Sequence, residues 1–111
     1  MRILFMRPLR AALAASLLAC AGLSTAQAQD AKALQVTALA ATCANCHGTQ
    51  GQAVANAAVP GLAGLPATYM VEQMKAFKAG TRPATVMHQL AKGFSDVQIE
   101  SIAAYFAAQK K

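Results

Sequence analysis

Cys43, Cys46 and His47 stand within the five residues CANCH, which hold two of the chain's three cysteines and one of its two histidines. Two thiols and an imidazole so close together limit what the surrounding chain can be. A dithiol redox pair sits where a strand turns into a helix inside a βαβ unit, and no stretch here alternates as a half-buried strand does. A structural zinc ion takes four ligands. Besides Cys20, the chain offers only Cys43, Cys46, His47 and His88, and crowding works against closing a tetrahedron through both Cys43 and His47. A disulfide between Cys43 and Cys46 would be a small strained ring of little stabilising value.

The first 28 residues read as an export signal rather than as part of a domain. Arg2, Arg7 and Arg10 precede an uninterrupted apolar run from Ala11 to Leu23, and Ala26-Gln27-Ala28 forms an A-x-A cleavage site. The run is too short to span a bilayer. Cleavage after Ala28 is expected, leaving 29–111 as one small domain in the periplasm, where the environment is oxidising. An alternative expectation is a lipid anchor through Cys20, because Leu-Leu-Ala-Cys at 17–20 loosely resembles a lipoprotein box. The whole chain carries a net charge of +6. Without the three signal arginines, seven basic residues face four acidic ones, a balance too mild and too scattered for nucleic acid. No other stretch is apolar enough to cross a membrane.

Four segments have helical period, so the expected fold is all-α. Ala31 to Thr42 places Leu34, Ala38 and Ala41 on one side, with Asp30 available as N-cap. Ala67 to Ala79 aligns Met70, Met74 and Phe77 between Pro66 and Gly80. Ala84 to Lys92 is a shorter helix closed by Gly93. Asp96 to Gln109 is the clearest: Ser95 and Gln98 form a capping box, and Ile99, Ile102, Ala103 and Phe106 follow at i, i+3, i+4, i+7. Ile99, Ile102 and Phe106 are expected to pack against the Leu34–Ala38 face of the first helix.

This domain is short of core. It is rich in alanine, has no Trp, and its aromatics reduce to Tyr69, Phe77, Phe94, Tyr105 and Phe106. So small a chain needs a disulfide framework, a metal or a cofactor to fold stably. The irregular stretch Gly48 to Pro66 is also too long for a domain of this size unless it wraps something.

C-x-x-C-H as a c-type haem attachment satisfies all of these constraints at once. Both thiols add to the haem vinyl groups, His47 supplies a nitrogen ligand to the iron, and the porphyrin provides the missing apolar core. The sixth ligand stays open on the residues alone, among Met70, Met74, Met87, His88, a lysine, or none. Met70 and Met74 fall on an apolar helix stripe with Phe77, where methionine is ordinarily core. Met87 follows a turn marked by Gly80 and Pro83, and His88 beside it is a competing donor.

From Ala31 onward the chain resembles the class I cytochromes c, through CANCHG, VPGLAGLP, YMVEQMKAFKAGTRP, VMHQLAKGFSD and IAAYFAAQ in that family's order. The resemblance implies a fold of about four helices wrapped around one covalently bound haem c. It implies Met87 as the second axial ligand, with His88 an exposed neighbour. It further implies that the Pro60 carbonyl accepts a hydrogen bond from the other nitrogen of His47 and so fixes the ring. Within the family, the stretch from Phe77 to Phe106 is most similar to the cytochrome subunit of flavocytochrome c sulfide dehydrogenase. Those subunits are often longer, with two haems, so this chain would be a single-haem version.

A six-coordinate iron has no site for substrate, which implies one-electron transfer with redox proteins, a flavoprotein (FAD) subunit of a sulfide dehydrogenase among them. No catalysis by this chain alone is expected. The alternatives are a freely diffusing carrier to a terminal oxidase or reductase, a haem peroxidase, and a haem gas sensor. The last two require an open iron.

Overall fold

The computed structural model describes residues 27–111, which are helical with no strand among them. The first helix, α1, runs over 27–41. It is followed by α2 (Ala44–His47), α3 (Ala67–Ala79), α4 (Met87–Leu90) and α5 (Asp96–Ala107), with 3-10 turns at Thr49–Gly51 and Ala91–Gly93. By packing the chain divides into Met1–Leu34 and Gln35–Lys111. The expected signal peptide, apart from its last two residues, lies outside the described residues, and so does Cys20. None of the described helices is long and apolar enough to cross a membrane. Everything below concerns Gln35–Lys111.

Local chemistry sets the ends of the two long helices. Pro66, at φ −59°, stands before α3, where its fixed φ and missing N–H cost nothing. The helix ends at Gly80, left-handed at φ 77°. There the Gly80 N–H bonds the Phe77 carbonyl (3.1 Å) and the Thr81 N–H the Ala76 carbonyl (3.0 Å), a Schellman closure that uses up carbonyls otherwise left unpaired. At the start of α5, Ser95 Oγ accepts from the Gln98 N–H (3.2 Å) and Gln98 Oε1 from the Ser95 N–H (2.8 Å). This is the capping box expected from the sequence.

Helix α3 is the hub, packed against both α5 and α4. The core joins Ala40, Met70, Ile102, Ala103 and Phe106, with Leu39, Cys43, Leu62, Leu65 and Phe94 partly buried against it. The helix contact proposed for the chain's first helix is therefore corrected by one face. Ala38 is exposed, whereas Ala40 is buried in the cluster with Ile102 and Phe106, and Leu39 and Cys43 pack against that cluster. Of the eight buried hydrophobic residues described, four are alanines, so the protein part of the core is as thin as the composition implied.

Candidate haem-binding site

The CANCH segment begins where α1 unwinds. The Thr42 and Cys43 N–H groups bond the Leu39 and Ala40 carbonyls (3.2 and 3.0 Å), and the His47 N–H bonds the Cys43 carbonyl (2.9 Å). The result is α2, a single helical turn that holds Cys43, Cys46 and His47 in fixed relation. The sequence reading ends the first helix at Thr42 and assigns no helix to Ala44–His47, because four residues are too few to show a period. Gly48 then takes φ 84° and ψ 156°, a region essentially closed to other residues.

Gly48→Ala is accordingly expected to destabilise the haem-loaded protein by at least roughly 1–3 kcal/mol from backbone strain alone. A Cβ there would also run into the backbone of Gln52. Gly93→Ala, where a Cβ meets nothing within 4 Å, is expected to stay within about 0.5 kcal/mol of the parent. Urea midpoints for the two variants measure the difference.

Past Gly48 the long loop folds back under His47. Gly51 anchors it: its carbonyl accepts from the Leu62 and Ala63 N–H groups (2.8 and 3.1 Å). A Cβ on Gly51 would stand 2.8 Å from the Phe106 ring, so only glycine permits this approach. The Gly64 N–H bonds the Phe106 carbonyl (2.9 Å), and Gln52 Nε2 bonds the Lys110 carbonyl (3.0 Å). Pinned this way to α5, the loop presents the Pro60 carbonyl 2.7 Å from His47 Nδ1. A carbonyl oxygen only accepts, so the ring proton must sit on Nδ1, and the Nε2 lone pair is left to bind a metal.

The cysteines have the properties of attachment points rather than of a redox or zinc site. Both are free thiols, Cys43 half-buried and Cys46 exposed. Burial pushes the Cys43 thiol above its ordinary pKa; the Thr42 hydroxyl opposes this and Cys46 adds to it. No group of three or more His, Cys, Asp or Glu suited to a bare metal ion exists among the described residues.

Met87 opens the one-turn helix α4 and is half-buried. Val86 and Leu90, on either side of it, are 54 % and 51 % exposed, which leaves an apolar rim unmatched by protein. His88 differs from the expectation of an exposed neighbour. It is half-buried, and its Nδ1 is buried without a hydrogen-bond partner. The turn of α4 carries Met87 and His88 inward together. Met70 is buried in the core cluster beside Phe106, the structural place its spacing suggested.

Two free thiols on one helical turn, an imidazole with Nε2 available and a rim of unmatched apolar side chains fit a covalently held porphyrin. Fold and site together define a small all-helical protein of the c-type haem class. The chain belongs to the cytochrome c family, whose model matches residues 28–110, and it carries one haem c. It is 43 % identical over 72 residues to cytochrome c-554(548) of Halomonas halodenitrificans, covering 62 % of this chain and 86 % of that protein. It is 37 % identical over 73 residues to the cytochrome subunit of sulfide dehydrogenase of Chlorobaculum tepidum, covering 66 % of this chain and 64 % of that one. Among solved structures it matches cytochrome c4 of Acidithiobacillus ferrooxidans at a TM-score of 0.56 and 38 % identity, over 60 % of this chain and 37 % of that chain. The match thus spans most of the Halomonas protein but less than two thirds of the other two.

Proposed function

We propose that this chain is a periplasmic monohaem electron carrier whose iron is held by His47 and Met87 and which serves as the haem subunit of a flavoprotein sulfide dehydrogenase. Haem c supplies reversible one-electron exchange between Fe(II) and Fe(III). The observation that carries the reading is the 2.7 Å hydrogen bond from His47 Nδ1 to the Pro60 carbonyl, which orients the ring with Nε2 as the ligand atom. Cys43 and Cys46 would hold the group covalently. Met87 would close the sixth position, and its thioether favours Fe(II) and raises the potential. A closed position leaves no room for substrate at the metal. Peroxidase and gas-sensing roles are therefore the weaker readings, and specificity falls to whichever protein docks.

The choice of a sulfide dehydrogenase rests on likeness to the Chlorobaculum subunit. In such a pairing a flavoprotein oxidises sulfide by two electrons and passes them singly to the cytochrome. A second reading, a freely diffusing carrier, is favoured by the single-domain match to the Halomonas cytochrome. Of the basic residues available to steer an acidic partner, Lys78 is tied to Asp96 and Lys75 stands 4.0 Å from Glu100. Of the other two cations on this part of the chain, Arg82 lies over the Phe77 ring, and Lys92 is exposed with no acidic partner among the described ion pairs. Stopped-flow mixing with sulfide, with and without the flavoprotein, separates the readings. Haem reduction that needs the flavoprotein supports the subunit role. Rapid reduction by sulfide alone, unchanged by the flavoprotein, contradicts it.

A further inference from the structure

The segment that carries Met87 hangs from one stretch of α3 by both ends. At its start, the Thr81 N–H, the Thr81 hydroxyl and the Arg82 N–H all bond the Ala76 carbonyl (3.0, 3.2 and 3.3 Å). The Arg82 guanidinium lies 4.5 Å over the Phe77 ring, and its Nη1 donates to Gln73 Oε1. At the far end Ala91 is fully buried and Phe94 packs against the core, and a single side chain makes the polar tie. Lys78 Nζ donates to the Phe94 carbonyl (2.8 Å) and to Asp96 Oδ1 (2.9 Å). Between the two ends α4 packs against α3, and its backbone hydrogen bonds are local, the Gln89 and Leu90 N–H groups bonding the Val86 carbonyl (2.9 and 3.1 Å).

The two ends are not equivalent. The start is held by backbone donors, by the Thr81 hydroxyl and by a stacked arginine, so no single substitution releases it. The polar tie at the far end, beyond the packing of Ala91 and Phe94, depends on one ammonium whose side chain is 33 % exposed. An exposed ion pair alone is worth little, but a hydrogen bond from a charged donor to a backbone carbonyl is worth more, and losing it leaves that carbonyl unsatisfied. Lys78 also holds the Asp96 carboxyl below the usual carboxylate range, chiefly through their hydrogen bond, so the carboxylate is kept as an acceptor. This role of Lys78 is not readable from the sequence, because its two acceptors, Phe94 and Asp96, are brought to it only by tertiary structure.

We propose that Lys78 is a positioning residue that latches the Met87 segment shut, so that breaking its bonds to Phe94 and Asp96 speeds the entry of outside ligands to the iron's sixth position. This rests on the reading of Met87 as the sixth ligand.

The test uses the haem-loaded ferric protein mixed with imidazole, whose binding must wait for the Met87 segment to open. The rate is followed in the Soret region and in the far-red methionine–iron band. Lys78→Met is expected to raise the opening rate by about tenfold. Asp96→Asn keeps the Phe94 bond and is expected to raise it by about twofold. Lys78→Arg, which restores a charged donor, is expected to return the rate toward that of the parent. Lys75→Met, removing the 4.0 Å pair to Glu100, is expected to leave the rate unchanged. A general loss of stability would not rank the variants this way, and urea midpoints taken alongside separate the two effects.

An unchanged rate in Lys78→Met, or an equal rise in Lys75→Met, overturns the latch. Should Lys78→Met fail to fold, an unchanged rate in Asp96→Asn overturns it. If the parent itself lacks the far-red band and takes up imidazole without delay, the Met87 reading fails and the latch fails with it. A parent with the band and insensitive variants sinks the latch alone.

Discussion

Met87→Ala is expected to abolish the far-red methionine–iron band, lower the reduction potential and let carbon monoxide bind the reduced iron. The half-buried thioether sits between Val86 and Leu90 on the one-turn helix α4. Alanine there removes the only donor atom of that side chain while leaving the backbone of the turn intact. His88, whose Nδ1 is buried and unpartnered, is the nearest replacement donor, so Met87→Ala is best compared with Met87→Ala/His88→Ala. Met74→Ala should keep the band, as Met74 lies on α3 rather than on the segment after Gly80. Survival of the band in Met87→Ala would remove Met87 from the ligand set.

Phe106→Ala is expected to cost roughly 3–5 kcal/mol, the usual penalty for truncating a fully buried phenylalanine. Phe106 is 1 % exposed and belongs to the core cluster with Ala40, Met70, Ile102 and Ala103. Its ring lies against the place where only glycine fits at position 51, so it supports both the helical core and the loop that presents Pro60. The effect should therefore appear twice, in the denaturant midpoint and in weakened orientation of His47. Gln109→Ala removes only a hydrogen bond to the Tyr105 carbonyl (2.9 Å) near the chain's end and should be close to neutral. Equal melting temperatures for the two variants would contradict the packing described.

Local signals read well from the sequence wherever they were complete within a few residues. The bounds of α3 follow from Pro66 and Gly80, and those of α5 from the Ser95–Gln98 capping box and the Ile99–Phe106 stripe. CANCH carried its chemistry in its own spacing. What was not legible depended on distant partners. On α1 it is Ala40, with Leu39 beside it, that joins the core containing Phe106, while Ala38 is exposed. The helix expected over Ala84–Lys92 shrank to α4 plus a 3-10 turn. Apolar period continues through that stretch, but Pro83 and the anchoring of Thr81 and Arg82 to α3 delay the first turn until Met87. Lys78 looked like surface charge until Phe94 and Asp96 were brought to it. His88 looked exposed until the same turn that carries Met87 drew it inward.

All of this depends on covalent haem at Cys43 and Cys46, and the most direct measurement is the intact mass of the denatured protein. The account predicts the polypeptide plus one haem, with the haem staying on the chain through acid acetone and on a denaturing gel. A mass equal to the bare polypeptide, with the haem extracted into the acetone, would contradict it.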